Sequence, residues 1–322
     1  MHGRLFTILD YSVSSYTILV AFGFLLAATM GALWARRVGL NPDTIVDLGL
    51  SSVVLGLIGA RLLHVLADGY FWDYVHLCTD PSRVAWPVPR AECLGRLEGI
   101  WDAEANVCRP READCLAWAQ IWGGGLTFYG GFVAAALGAY WLFRRDGFPI
   151  WKGMDMGGMM VPIGLGIGRL GCALVGCCFG ETCDLPWALE FPRHSPASEW
   201  QHREGLLASP YLPSLPVHPT QLYESFGALA IAAFTILFVH GRKRYDGQVF
   251  VVFLALYAVM RFVLELWRSD DRGGVWALST SQWIGLGMLV LAGAIHARRG
   301  RAGSNAPYPP AACRACGRCR RG

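Results

Sequence analysis

Residues 249–267 read VFVVFLALYAVMRFVLELW, an apolar run that carries Arg261 and Glu265. About 20 such residues are enough to cross a bilayer. The same combination recurs in residues 161–180, VPIGLGIGRLGCALVGCCFG, where Arg169 interrupts a glycine-rich apolar run. An arginine at the centre of a membrane helix costs roughly 2.5–3.5 kcal/mol on insertion scales, so it persists where it is paired or has work to do. The whole chain agrees with that reading: 54% of its 322 residues are hydrophobic and 16% are charged. Its mean hydropathy is +0.36. These values point to an integral membrane protein with a polar, anion-handling interior and the lipid bilayer as its surroundings. The net charge of +4 is modest, and no nucleic-acid partner is expected.

Working outward, seven apolar segments emerge, near 15–35, 45–67, 122–143, 154–178, 220–240, 248–267 and 280–297. Basic residues follow every second one: Arg36 and Arg37, Arg144 and Arg145, Arg242 to Arg244, and Arg298, Arg299 and Arg301. Cytoplasmic loops are enriched in such residues. The expectation is therefore an all-α integral membrane fold of seven transmembrane helices, amino terminus outside and carboxyl terminus inside. The first apolar run has no basic lead beyond Arg4 and no small-residue cleavage site, so it reads as a retained helix. The membrane domain is expected over 1–299. Residues 300–322 form a basic tail expected to be disordered, whose Cys313, Cys316 and Cys319 are too few for a closed zinc site.

This topology puts two long connections, about 68–121 and 179–219, on the oxidising side of the membrane. The first is a Cys-containing extracytoplasmic insert. Its Cys78, Cys93, Cys108 and Cys115 are expected to form two disulfides, in a connectivity that spacing does not specify.

Polar groups then collect around the same surface. Arg169 offers a planar fork of donors matched to phosphate oxygens; the plainer account is a structural arginine–carboxylate pair. Gly164/Gly168 and Gly176/Gly180 have the spacing that lets helix backbones approach closely. Tyr257, Arg261, Glu265 and Arg268 fall along one helical face. There one carboxylate faces two guanidiniums, a surplus that favours an anion. His218-Pro-Thr-Gln-Leu-Tyr223-Glu224 opens the fifth segment, where the plainer role is helix capping. Trp122-Gly-Gly-Gly-Leu-Thr-Phe-Tyr129-Gly-Gly131 leads into the third segment and brings a hydroxyl to that surface.

The blocks 122–131, 168–180, 218–224 and 261–268, taken in this order, resemble those of the bacterial prolipoprotein diacylglyceryl transferases. The likeness covers roughly residues 15–297, apart from most of 70–120. It implies a seven-span inner-membrane enzyme with its active site facing the periplasm. Its substrates would be phosphatidylglycerol and a preprolipoprotein signal peptide whose lipobox Cys accepts diacylglycerol, leaving glycerol phosphate. No cofactor or metal is implied. By resemblance Arg169 binds the phospholipid headgroup, Arg261 is an essential arginine with Glu265 as its partner, and Arg268 follows them. Arg61, in Gly59-Ala-Arg61, resembles a further family arginine. Tyr223 and Glu224 join the substrate-binding set, His218 is the candidate base, and Tyr129 orients or relays a proton. Tyr129 stands where the family carries histidine, Gly171-Cys172 where it carries Gly-Asn, and Val175-Gly176-Cys177 where it carries Asn-Gly-Glu.

Two other classes compete. Cys172, Cys177, Cys178 and Cys183 span twelve residues and suit thiol redox chemistry or a soft metal. A lipid-binding paralogue without transferase activity would keep the same chamber.

Overall fold

The computed structural model describes residues 4–8, 11–67, 69–88, 90–95, 98–121, 125–268, 274–275 and 278–301. The cysteines of the tail, Asp270, Asp271 and Trp122 to Gly124 lie outside the described residues. Two compact units divide the chain, Met1–Val46 with Phe148–Gly322, and Asp47–Gly147.

The first unit is a helical bundle preceded by the hairpin of β1 (Arg4–Ile8) and β2 (Tyr11–Ser14). Ser14 caps α1 (Ser15–Arg37) by accepting a 3.2 Å hydrogen bond from the Thr17 amide. Further along the chain come α6 (Ile150–Val175), α8 (Thr220–Phe234), α9 (Gln248–Leu264) and α10 (Thr280–Arg301). Helix α6 is central and packs against α1, α8 and α9, while α10 packs on α9. Gly164 meets Gly23 of α1, so the expected close backbone approach occurs there. Ser225 of α8 donates to the Gly166 carbonyl at 2.7 Å. Leu25, Leu237 and Val290 point outward and are more than half exposed, as lipid-facing side chains would be.

One end of this bundle is pinned by a buried ion cluster. Asp155 is fully buried, lies 2.8 Å from Lys243 Nζ and accepts from the Val249 amide at 2.9 Å. A carboxylate at the start of α9 answers the positive end of the helix dipole. Lys243 also contacts Asp246 at 2.8 Å. At the other end, residues 179–219 fold over their own small core of Phe179, Phe191, Ala197 and Val217. Within it α7 (Pro196–Arg203) starts on a reciprocal Ser195–Ser198 capping box.

The second unit contains most of α2 (Asp43–Ala67), then α3 (Phe71–Thr79), α4 (Arg90–Gly95), the hairpin of β3 (Ile100–Asp102) and β4 (Val107–Arg109), and α5 (Phe128–Arg145). Disulfides join Cys78 to Cys115 and Cys93 to Cys108, which settles the connectivity. In the insert, the Ala105 amide and the Arg109 guanidinium hold the Asp102 carboxyl below the usual carboxylate range.

Several expectations change. The fold is mostly helical rather than all-α: β1–β2, β3–β4 and the hairpin of β5 (Gly274–Val275) and β6 (Leu278–Ser279) are short two-stranded additions. Among the described residues, six helices are long and apolar enough to cross a membrane. The segment near 122–143 is not one of them, because the described helix α5 is 18 residues long and its last two, Arg144 and Arg145, make it too polar. The segment near 280–297 runs on to Arg301 and does qualify. Gly176 does not line a helix crossing; its φ of 84° ends α6 in the left-handed region, where glycine carries no side-chain penalty. Helix α9 ends at Leu264, and Arg268 lies beyond a short 3-10 turn in extended backbone, so it does not continue the helical face.

Candidate active site

Helices α6, α8 and α9 converge on one buried carboxylate. Glu224, in the second turn of α8, is 1% exposed. Its Oε2 lies 3.0 Å from Arg169 Nε on α6 and 3.9 Å from Arg261 Nη1 on α9. Its Oε1 accepts from the Tyr257 hydroxyl at 3.4 Å. One turn on from Arg261, Glu265 takes Arg261 Nη2 at 3.2 Å, the i,i+4 pair that the spacing suggested. The same nitrogen reaches Ser281 Oγ at 3.3 Å.

The sequence set one carboxylate, Glu265, against the guanidiniums of Arg261 and Arg268. The structure adds a second carboxylate, Glu224, which Arg261 shares with Arg169 of α6 rather than with Arg268. Stacking two buried guanidiniums without such a partner would carry a large desolvation cost. The satisfaction is incomplete, however. Arg261 Nη1 and Glu224 Oε2 are both buried and neither makes an aligned hydrogen bond among the described residues. That leaves a buried guanidinium donor of the kind that an anion with several acceptor oxygens can satisfy.

Residues after α6 lace the helix ends together. Gly180 donates to the His218 carbonyl at 2.9 Å, His218 to the Glu181 carbonyl at 2.9 Å, and Glu181 to the Trp267 carbonyl at 2.8 Å. A side chain at Gly180 would sit 2.7 Å from the His218 Cβ, so glycine is required for this approach. Arg268 is buried beside this strand-like link, bridged to Gly180. The rings of His218, Tyr223 and Trp267 form one aromatic group, with centroids 6.2–6.3 Å apart. Tyr223 Oη accepts from Trp187 Nε1 at 2.7 Å and lies 3.5 Å from His218 Nδ1. The plainer capping role is not seen, since α8 starts without a side-chain cap hydrogen bond; instead Thr220 Oγ1 donates to the Cys178 carbonyl at 2.8 Å and Gln221 Nε2 to the Cys177 carbonyl at 2.7 Å. Of the four cysteines of this region, Cys172, Cys177 and Cys178 come together, their sulfurs within 4.8 Å of one another, and Cys183 is not in the group.

Arg61 and Tyr129 belong to the second unit. Arg61 donates to the carbonyls of Trp118 (2.7 Å), Ala117 (2.6 Å) and Gly125 (3.2 Å) and lies over the Tyr74 ring. Its donors hold Ala117 and Trp118 at the end of the insert and Gly125 just before α5. Tyr129 lies in the first turn of α5 and is half exposed.

Two residues at these sites escaped the sequence reading. Ser281 carries no distinguishing pattern. Trp187 sits among the Trp- and Pro-rich residues of 179–219, and only its hydrogen bond to Tyr223 marks it out.

Comparison with known proteins supplies the family. The prolipoprotein diacylglyceryl transferase family model matches residues 4–91 and 100–298. The match is wider than the resemblance noted above, since it includes much of the insert and omits only 92–99 between its two parts. A phosphatidylglycerol–prolipoprotein diacylglyceryl transferase of Aromatoleum aromaticum is 31% identical over 297 residues, covering 89% of this chain and 90% of that protein. Its counterpart in Clostridium tetani is 25% identical over 288 residues, covering 89% and 93%. One from Pseudomonas fluorescens is 37% identical over a shorter 153 residues, covering 47% and 51%. With the matched family model spanning both units and the site helices, the chain belongs to the prolipoprotein diacylglyceryl transferase family, a family of multi-pass membrane proteins.

Proposed function

We propose that this chain transfers the diacylglyceryl group of phosphatidylglycerol to the lipobox cysteine thiol of a preprolipoprotein, with Arg169 and Arg261 clamping the headgroup phosphate. The transfer itself is the family's reaction. The observation that carries the clamp is the convergence of two guanidiniums from different helices on the single oxygen Oε2 of buried Glu224. Glu224 keeps both forks aimed before substrate arrives, so little reorganisation remains when charge develops.

In the transfer, the thiol sulfur forms a bond to the glyceryl carbon while that carbon's bond to the phosphate oxygen breaks. Glycerol phosphate leaves with the bonding pair, and the guanidiniums stabilise its growing charge. Glu265 holds Arg261 through Nη2 while Nη1 is the nitrogen nearer Glu224, and Arg268 adds positive charge near the link at Gly180. The thiol proton goes to a base, for which His218 is the candidate, aligned by Tyr223. A free thiol has a pKa near 8.5, so modest activation suffices. For Arg61 as a substrate contact the support is resemblance to the family alone, and for Tyr129 as a residue that orients or relays a proton it is the hydroxyl that stands in place of the family's histidine.

The expected setting is a bacterial inner membrane crossed seven times, with α5 as the additional span and the site facing the periplasm. Support comes from the basic ends of α1, α5 and α10 and from Arg242 to Arg244 after α8, which alternation places on the cytoplasmic side. Reporter fusions after Arg244 and after Arg299 should both report cytoplasm. The activity is tested by incubating the purified chain with a lipobox peptide and either phosphatidylglycerol or phosphatidylethanolamine. A thioether-linked diacylglyceryl product with the first lipid supports the reading, and its absence with a folded chain contradicts it.

A further inference from the structure

We propose that Cys172, Cys177 and Cys178 form a three-thiolate site for a thiophilic cation of the zinc or copper(I) class. Their three sulfurs lie within 4.8 Å of one another. Zinc–thiolate bonds are about 2.3 Å long, so thiolates sharing one ion stand roughly 4 Å apart. Small side-chain rotations close that gap.

The backbone is built to gather these sulfurs. Cys172 lies in the last turn of α6, where its carbonyl accepts from the amides of Gly176 (2.9 Å) and Cys177 (3.2 Å). The chain then turns back through two left-handed residues, Gly176 at φ 84° and Cys178 at φ 61°. That conformation is uncommon for a residue with a side chain. Thr220 and Gln221, each 1% exposed, fix the turn by taking the Cys178 and Cys177 carbonyls at 2.8 and 2.7 Å. Both outward carbonyls are thus used, and the thiols are left facing one another. The four insert cysteines behave differently: Cys78, Cys93, Cys108 and Cys115 are joined in disulfides, whereas these three stay unbonded at close range.

The donor set indicates which chemistry follows. Soft thiolates select zinc or copper(I) over magnesium or calcium. Closed structural zinc sites use four protein ligands, while three ligands and an open position mark sites that admit a reacting group. Resting on the transferase reading, the open position takes the exogenous thiol that is the nucleophile. Its S–H bond breaks, the proton passes to water or a base, and a metal–sulfur bond forms without change of oxidation state.

The test uses the full chain, purified anaerobically in detergent and titrated with Co2+. The site predicts sulfur-to-cobalt charge-transfer absorption that saturates at one equivalent and is abolished by Zn2+. Mass spectrometry should also find Cys172, Cys177 and Cys178 protected from alkylation by Zn2+ in the unaltered protein, a readout that needs no variant. Cys172→Ser, Cys177→Ser and Cys178→Ser should each weaken Co2+ binding at least tenfold, and Cys183→Ser should not. Wild-type protein with both insert disulfides intact but no charge-transfer absorption overturns the proposal. So does a disulfide among the three thiols in the anaerobic preparation. A chain that binds Co2+ and transfers no lipid keeps the site and counts against the transferase reading; transfer without Co2+ binding does the reverse.

Discussion

Arg61 and Arg261 are both arginines in long apolar helices, 7% and 9% exposed, and in the sequence they look alike. Their partners separate them. Arg61 gives its donors to three backbone carbonyls of its own unit. Arg261 faces two carboxylates and keeps a buried donor without an aligned hydrogen bond among the described residues. A guanidinium spent on backbone holds a segment in place. One poised against carboxylates can exchange a partner for an anion, which is what binding a phosphate demands.

Perturbing the carboxylate between Arg169 and Arg261 should have the largest effect on stability. Glu224→Ala leaves two buried guanidiniums short of a partner, and breaking a buried pair in this way costs about 3–5 kcal/mol. The fraction surviving a heat challenge, measured by size-exclusion chromatography, should fall sharply. Survival equal to wild type would mean that water already reaches the site. Next, removing the insert disulfide with Cys93→Ser and Cys108→Ser together should cost about 2–4 kcal/mol. Limited proteolysis should then cut within 84–109 first, and unchanged resistance would remove the disulfide from the account.

Arg61→Lys sharpens the contrast directly. It keeps the charge but loses the fork that holds the carbonyls of Ala117, Trp118 and Gly125, at about 1–3 kcal/mol for the carbonyls left unsatisfied. Protection from hydrogen exchange should drop there, while the transfer rate of the folded fraction stays within a few fold. A rate loss as deep as that of an Arg261 variant would make Arg61 a substrate contact, as the family resemblance implies. Tyr257→Phe should show the smallest effect, about 0.5–1.5 kcal/mol, since it removes one long hydrogen bond to Glu224. A larger loss would mean that Tyr257 sets the position of Glu224.

Much of the helical layout was legible because bilayer thickness fixes segment length and basic residues punctuate it. Six of the expected segments, near 15–35, 45–67, 154–178, 220–240, 248–267 and 280–297, coincide closely with apolar helices. The Arg261–Glu265 pair was legible for a similar reason, being local. Glu224 as the shared partner was not, since its distances to Arg169 and Arg261 depend on how three helices cross. Asp155 illustrates the same limit: a charge near the start of an apolar run is visible, but its partner Lys243 lies 88 residues away. Arg268 was misplaced because helical spacing was extended past Leu264, where the chain turns to reach Gly180. The insert's disulfide pairing had no sequence signal, because four cysteines allow three connectivities.

The clamp itself is tested most directly by the rate of diacylglyceryl transfer from phosphatidylglycerol to a lipobox peptide in Arg169→Lys and Arg261→Lys, each verified as folded. Lysine keeps the charge but lacks the bidentate fork. Losing one such contact at a developing charge costs about 2–4 kcal/mol, so each variant should lose about 30- to 1000-fold in rate. Wild-type rates in both would contradict the clamp.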